Sequence, residues 1–412
     1  MPVSIDSFMN TRGGPDGPFL HIGVAVSGGS DSTALLILCR DWALAENIQL
    51  TAFTVDHGLR PEAAGEARQV EALCQTLGVS HLTLQWTGWN GQGNVQDAAR
   101  QARYRLLAEA AKTARCDAVA LGHTKDDQAE TFLMRLARGS GVDGLSAMRD
   151  DWQAEGMRWL RPLLNTRREE LRSLLRERGV SWSEDPSNAD PRFERVKMRQ
   201  AMQDLGALGL DVNRLAGTAD AMSTARDALA HLAHEAAQKI CRVEAGDVVI
   251  DPAPFWSLPI ETRDRIVAEA IRFVSSTPYR PRLSSLRGAI AGARSGQKST
   301  LQGCLIHPHH TGLRITREHA AVSGLTSQPG EVWDHRWVLE TNDAGEIRAL
   351  GEGISQIKDW RSCKIPRPTL MSSPALWSIT HVIAAPLVQE SKNCGIVSAP
   401  SLTDFLSSFL SH

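Results

Sequence analysis

The 412-residue chain has no C-x-x-C pair, no long apolar run and almost no net charge. Each shortage removes a class of protein. The seven cysteines (Cys39, Cys74, Cys116, Cys241, Cys304, Cys363 and Cys394) are odd in number and scattered. That argues against a disulfide framework and gives no zinc or iron–sulfur spacing, so reduced thiols are expected. No stretch is apolar and long enough to span a membrane. The opening residues, MPVSIDSFMNTRGGPDGPF, carry Asp6 and Asp16 and no apolar signal core. No secretory leader is expected, and a cytoplasmic location is. A formal charge of −2 gives no global pull towards nucleic acid, so any such contact must come from local clusters. Internal repeats and low-complexity tracts are also missing.

What is present reads as an α/β protein. Short apolar runs alternate with helical patterns through the first 130 or so residues. LHIGVAV (20–26), LTAFTV (50–55), HLTLQW (81–86) and DAVALGH (117–123) read as strands, with helices over 33–46, 64–78, 94–114 and 126–138. This order predicts a doubly wound parallel sheet covered on both faces, with ligands at the carboxyl ends of its strands. RWLRPLL (158–164) is a candidate fifth strand. The expected domains are a catalytic one over 1–212, a mainly helical, basic one over 213–325, and a small β-rich α+β one over 326–412. SGLTSQPG (323–330) reads as the linker before the last, in which RWVLETN, EIRAL and THVIAAPLV are candidate strands.

Between the first strand and helix lies VAVSGGSDST, Val24 to Thr33. Glycines allow a tight turn, and several backbone N–H groups plus a helix N-terminus then face one spot. Ser27, Gly28, Gly29, Ser30, Asp31 and Ser32 are therefore the candidate phosphate loop. The loop lacks what other phosphate loops need. No lysine lies between Ser27 and Cys39, which excludes G-x-x-x-x-G-K-[ST], and G-x-G-x-x-G is absent. Asp31 repels a bare phosphate, and makes sense with Mg2+ between them.

SGGSDS resembles the pyrophosphate loop of enzymes that cleave ATP between its α and β phosphates. VDHGLR (55–60), AARQARY (98–104), GHTKDDQAET (122–131), RGSGVDGL (138–145), RPLL (161–164) and WSEDPSN (182–188) follow in order. With SGGSDS they resemble the tRNA(Ile)-lysidine synthetases over the first 200 or so residues, and RPTLMSSPALW (367–377) is similar to that family's C-terminal part. The resemblance implies a ligase that uses ATP to adenylate the 2-oxo group of the wobble cytidine in a CAU-anticodon tRNA(Ile). The side-chain amine of free L-lysine then displaces AMP. It implies ATP and Mg2+ as cofactors. Val196 stands in Arg195-Val196-Lys197-Met198-Arg199 where the family often has asparagine.

On that reading the candidate catalytic residues are Asp31, Asp126, Asp127 and His123, with Asp31 and Asp127 as metal ligands. His57 and Arg60 join the loop on the ATP side. The substrate and tRNA candidates are Arg100, Arg103, Tyr104, Glu130, Arg138, Gly139, Ser140, Gly141, Arg195, Arg199, Arg280 and Arg282. A carboxylate or His123 is a candidate to take a proton from the lysine amine. Residues 158–199 hold eleven basic side chains against seven acidic ones, a modest excess with Trp159 and Trp182 interleaved. Residues 270–317 hold Arg272, Arg280, Arg282, Arg287, Arg294, Lys298, Arg314 and Arg317 with no acid, which suggests a phosphate-contacting surface. HPHH (307–310) lacks supporting ligands and reads as a loop. Two other readings compete. One is a tRNA thiolase or amidotransferase of the same loop chemistry, which would need paired cysteines or an ammonia source. The other is a non-catalytic nucleotide- or RNA-binding module, which would gain nothing from the carboxylates. Oligomeric state is not readable, and a homodimer is compatible with the sequence.

Overall fold

A computed structural model describes residues 3–14, 17–58, 63–87, 95–184, 194–389, 391 and 393–410. Arg60 and residues 185–188 of WSEDPSN lie outside the described residues. The chain forms two compact units, Met1–Arg226 and Asp227–His412. Among the described residues no helix is long and apolar enough to cross a membrane.

The first unit runs α1 (Asp6–Asn10), β1 (His21–Ala25), α2 (Ser30–Glu46), β2 (Gln49–Asp56), α3 (Ala63–Leu77), β3 (Ser80–Gln85), α4 (Val95–Thr113) and β4 (Ala118–Leu121). It continues through α5 (Lys125–Ala137), α6 (Val142–Leu145), β5 (Asp151–Ala154), β6 (Met157–Leu160), α7 (Arg168–Glu177), α8 (Glu194–Ala207) and the first half of α9 (Val212–Ile240). Six strands form one sheet in the order β3-β2-β1-β4-β6-β5. All neighbours are parallel except β5, which pairs antiparallel with β6 at the edge. The expected fifth strand is thus β6. The edge strand β5 was not foreseen.

Alternate residues feed two cores. Ile22, Val24, Ala52, Ala118, Ala120 and Leu160 pack on one face with Leu35 and Cys39 of α2, Val70 of α3 and Leu171 and Leu175 of α7. Phe53, Val119, Leu121 and Trp159 pack on the other with Leu107, Ala108 and Ala111 of α4. Strand order reverses between β1 and β4: the chain runs from β1 to β2 and β3 on one side, then crosses to β4 on the other. The loops leaving those two strands flank the switch point where α/β sheets bind ligands.

The second unit begins in the latter part of α9. It contains β7 (Cys241–Glu244), β8 (Asp247–Ile250), α10 (Pro252–Ser257), α11 (Ile260–Ser275), α12 (Leu283–Arg294), β9 (Ser299–Leu301), β10 (Cys304–His309) and β11 (Gly312–Arg317). Beside the helices, these strands make an antiparallel sheet ordered β7-β8-β11-β10-β9. Then come α13 (His319–Val322), β12 (Thr326–Ser327), β13 (Val332–Trp333), β14 (Trp337–Thr341), β15 (Glu346–Ala349), α14 (Arg367–Met371), β16 (Pro374–Trp377), β17 (Val382–Ala384), β18 (Cys394–Ser398) and α15 (Leu402–Ser408). They give sheets β12-β15-β16-β17 and β13-β14-β18. Phe405 and Phe409, at the end of the chain, pack with Ile266, Ile271 and Ile306 in one core. Two expectations change here. The stretch read as a linker contributes β12, which pairs with β15. HPHH is not a loop: His307 and His309 lie on β10, opposite Arg314 and Gly312 of β11.

Candidate active site

The phosphate loop has the shape its residues demand. Gly28 sits at φ +85°, a conformation costly for any residue with a Cβ. Gly29 is the N-cap of α2. Ser32 Oγ donates to the Gly29 carbonyl at 3.1 Å and accepts from Ser27 N at 3.1 Å, which closes the turn from inside. The Gly28 carbonyl accepts from Ser183 N at 2.9 Å, tying the start of the WSEDPSN stretch to the loop. Gly122, leaving β4, lies against the start of α2: a Cβ there would stand 3.0 Å from Ser32 Cα and N.

Four acids follow from these two loops. Thr124 caps α5 by a capping box, with its backbone N and Oγ1 each donating to Asp127 Oδ2 at 2.9 Å. That reciprocal cap turns the other oxygen of Asp127 towards the crevice. Asp126 turns the opposite way. Its carboxylate accepts the Arg168 backbone N–H at 2.8 Å and the Arg167 guanidinium at 3.3 and 3.4 Å, so it holds the N-terminus of α7. Glu130, one turn after Asp127, is 1% exposed.

Asp31, Asp127 and Glu130 meet at one guanidinium that sequence reading missed. Arg168 gives Nε to Asp31 at 2.9 Å, one terminal nitrogen to Asp127 at 3.1 Å, and the other to Glu130 at 3.6 Å. Arg199 Nε holds Glu130 at 2.5 Å. Burial raises the Asp31 carboxyl above its ordinary value, against the pull of Arg168. Burial raises Glu130 likewise, against Arg199. Burial also opposes ionisation of Asp127, but Arg168 and the Thr124 N–H outweigh it and hold that carboxyl below the usual range. Among the described residues no three His, Cys, Asp or Glu side chains form a ready metal cage. The hard oxygens of Asp31 and Asp127 nonetheless share one positive charge beside the loop, the donor chemistry that Mg2+ takes.

His123 is fixed by a residue that the sequence marks only as part of RPLL, with no role attached. Arg161, the arginine of RPLL, donates Nε to His123 Nδ1 at 3.1 Å while its guanidinium lies 3.8 Å from the centre of the Trp152 ring. Burial and then Arg161 push the His123 pKa well below its ordinary value. The ring is neutral, its Nδ1 accepts, and its proton must sit on Nε2.

A cavity of about 370 Å³ opens beside the loop, lined by Ser27, Gly29, Phe53, Thr54, His57, Glu66, Arg103 and Ser183 among others. A second, of about 210 Å³, shares His57 and Arg103 and adds Arg100, Tyr104 and His123. Burial, followed by Arg103, lowers the His57 pKa. Tyr104 packs edge-on to Trp159 at 4.8 Å, with the Arg100 guanidinium 5.2 Å from its ring, so it is half core and half cavity wall.

Most of the remaining candidates stand apart from this cluster; Arg195 is the exception, since its charge helps lower the pKa of both His123 and Asp127. Arg138, Gly139, Ser140 and Gly141 follow α5, about 18 Å of helix beyond Asp126. There Arg138 pairs with Glu194 and Gly139 takes φ +69°. Arg195 is exposed on α8, while Val196 beside it is buried. In the second unit Arg280 lies 3.5 Å from the buried Glu269, and exposed Arg282 is the N-cap of α12. Much of the basic stretch is neutralised by acids from outside it. Arg272 pairs with Glu269, Arg287 with Asp264, Arg314 with Glu244 and Asp247, and Arg317 with Asp334.

A family model described as a PP-loop domain matches residues 6–205. The whole chain is similar to curated proteins named tRNA(Ile)-lysidine synthase. That of Ruegeria pomeroyi is 43% identical over 96% of this chain and 95% of that protein. That of Wolbachia pipientis wMel is 37% identical over 89% of this chain and 88% of its own length. That of Rhodopseudomonas palustris reaches 46% over 60% of this chain and 73% of its own.

Proposed function

The chain belongs to the tRNA(Ile)-lysidine synthases, ATP-using ligases built on a PP-loop domain, and from that premise we propose how its residues divide the reaction. ATP lies with its base and ribose in the 370 Å³ cavity and its phosphates on the loop of Ser27 to Ser32. The wobble cytidine of a CAU-anticodon tRNA(Ile) enters by the adjoining cavity between Arg100, Arg103 and His123. Its 2-oxo oxygen attacks the α phosphate and pyrophosphate leaves. The side-chain amine of free L-lysine then attacks carbon 2 and AMP leaves. Asp31 and Asp127 are the residues that would hold Mg2+. Bound there, the ion would neutralise phosphate charge.

Asp127 and Glu130 are the acids available to receive the lysine ammonium and take its proton, since that amine attacks only when neutral. His123 plays a different part. With Nδ1 occupied by Arg161, its Nε2–H is a donor. It suits hydrogen bonding to an oxygen that gains charge, not proton abstraction. Residues 213–325 and 326–412 are assigned to holding the tRNA body, with Arg280 and Arg282 among the contacts, and the enzyme works in the cytoplasm. The observation that carries the reading is the meeting of Asp31, Asp127 and Glu130 beside the loop.

The test is transfer of radiolabelled lysine in the presence of ATP and Mg2+. It should reach a CAU-bearing isoleucine tRNA transcript, not an elongator methionine tRNA, and should be lost in Asp31→Ala. ATP cleavage to AMP without lysine transfer, by folded protein, would sink the choice of amine.

A further inference from the structure

Arg168 occupies the place the amine needs. Its three nitrogens are divided among Asp31 of α2 and Asp127 and Glu130 of α5. Under the proposed function, on which this inference rests, Asp127 and Glu130 must instead face the ammonium group of lysine. A guanidinium already hydrogen-bonded to Asp127 and ion-paired with Glu130 leaves no room for a second cation at the same oxygens. Asp31 belongs to the phosphate loop itself and lies in the first turn of α2. Arg168 therefore stands within one side chain of where the nucleotide phosphates arrive. An arginine fork pairs with phosphate at least as well as with carboxylate.

We propose that Arg168 is an ion-exchange latch: it closes the acidic site in the free enzyme and opens it when nucleotide phosphates draw its guanidinium away. The charges support the exchange. Three carboxylates, Asp31, Asp127 and Glu130, face two guanidiniums, Arg168 and Arg199. Departure of Arg168 leaves Arg199 as the one guanidinium in contact with these acids and frees for an ammonium the Glu130 and Asp127 oxygens that Arg168 had held. The anchor of the latch stays in place, because Asp126 holds the backbone N–H of Arg168. Only the side chain needs to swing. The amine then binds after the nucleotide, when an electrophile is about to form. Arg168 is a positioning residue: it acts through the acids, not on the reacting atoms.

The experiment is equilibrium dialysis of radiolabelled L-lysine against the full chain, with and without Mg2+ and a non-hydrolysable ATP analogue. The wild-type protein should bind lysine about tenfold more tightly with the analogue, the scale of an ordinary coupling between sites. Arg168→Met should bind lysine without analogue as tightly as wild type does with it, and the analogue should add nothing. A purely structural arginine would weaken both states and leave the ratio unchanged. Thermal melting and analogue binding check that the variant is folded. If Arg168→Met does not fold, Arg168→Lys keeps the charge but loses the fork, and the ratio should still shrink. An unchanged ratio in either folded variant, or wild-type lysine affinity indifferent to the analogue, overturns the latch. Wild-type protein that binds the analogue but no lysine overturns the choice of amine instead, and the latch with it.

Discussion

Two groups of buried acids, one in each unit, are both held by arginine and differ in what is left over. In the second unit Asp247 is 2% exposed and accepts Arg314 at 2.9 Å, Thr316 at 2.9 Å and Thr369 at 2.5 Å. Those donors come from β11 and α14, so one carboxylate pins the five-stranded sheet to the C-terminal segment. In the first unit Asp31, Asp127 and Glu130 outnumber the two guanidiniums that touch them, beside a loop that opens on a cavity. A saturated carboxylate has nothing more to bind and serves stability. An acid cluster short of one positive charge, next to open space, is built to receive one.

Exchanging the two sites' losses is the strongest way to break this comparison. Asp127→Asn keeps an acceptor for the Thr124 cap but removes the charge. Lysine transfer should fall by about 10²–10³-fold, the size of a lost electrostatic partner, with a small change in melting temperature. Asp247→Ala should do the reverse. Removing one partner of a buried ion pair costs about 3 kcal/mol or more, read as early melting of the second unit, while ATP-analogue binding persists. If Asp247→Ala melts like wild type, saturation does not mark a structural site.

A pH series sharpens the contrast. Burial pushes the Asp247 carboxyl up to about 6, from an ordinary value of 3.8, against its hydrogen-bond donors. Between those values the folded protein holds a proton that the unfolded chain releases. This residue therefore adds stability as pH falls from about 7 towards about 4, by about 3 kcal/mol at most. Asp247→Asn should lose that increment. The difference between the two melting curves, measured across this range, isolates it from every other acid. Equal slopes would mean the three donors keep the carboxylate ionised throughout.

The same contrast explains which residues could be read in advance. The loop of Ser27 to Ser32 is contiguous, so its turn, helix start and acid stand together in the sequence, and the alternation of strands and helices places it at the switch point. Arg168 is one of seven arginines between positions 158 and 178, and nothing local distinguishes the one that faces Asp31, 137 residues away. Arg161 stands in the RPLL stretch that the resemblance marks, but its partner His123 shows only when β6 is set beside β4. Asp126 and Asp127 look alike as neighbours at a helix start. A capping box that uses Asp127 and a backbone contact that uses Asp126 send them in different directions. The HPHH run carries proline and polar side chains that suggest a loop, yet pairing with β11 makes it a strand. The acid-free stretch 270–317 has fewer free cations in the fold than in the sequence. Its partners Glu244, Asp247, Asp264, Glu269 and Asp334 lie before or after it in sequence; Glu269 reaches Arg272 at helical i,i+3 spacing, and the others are brought opposite by the fold.

That last point gives the smallest prediction. A cation already bonded to a buried acid has little left to offer a phosphate, whereas Arg282 and Lys298 are exposed. Each exposed cation that touches a tRNA phosphate releases about one counterion, so its loss should lower the slope of log affinity against log salt by about 0.9. Arg282→Ala should therefore weaken tRNA binding a few-fold at moderate salt, less at high salt, and leave melting unchanged. Arg287→Ala is the internal comparison. Its Nε is 2.7 Å from Asp264, so it should leave the salt slope where it was and show its effect in stability. Equal slopes for the two variants would mean that the ion pairs of the second unit open when tRNA arrives. The line between saturated and available charge would then be drawn by the partner and not by the fold.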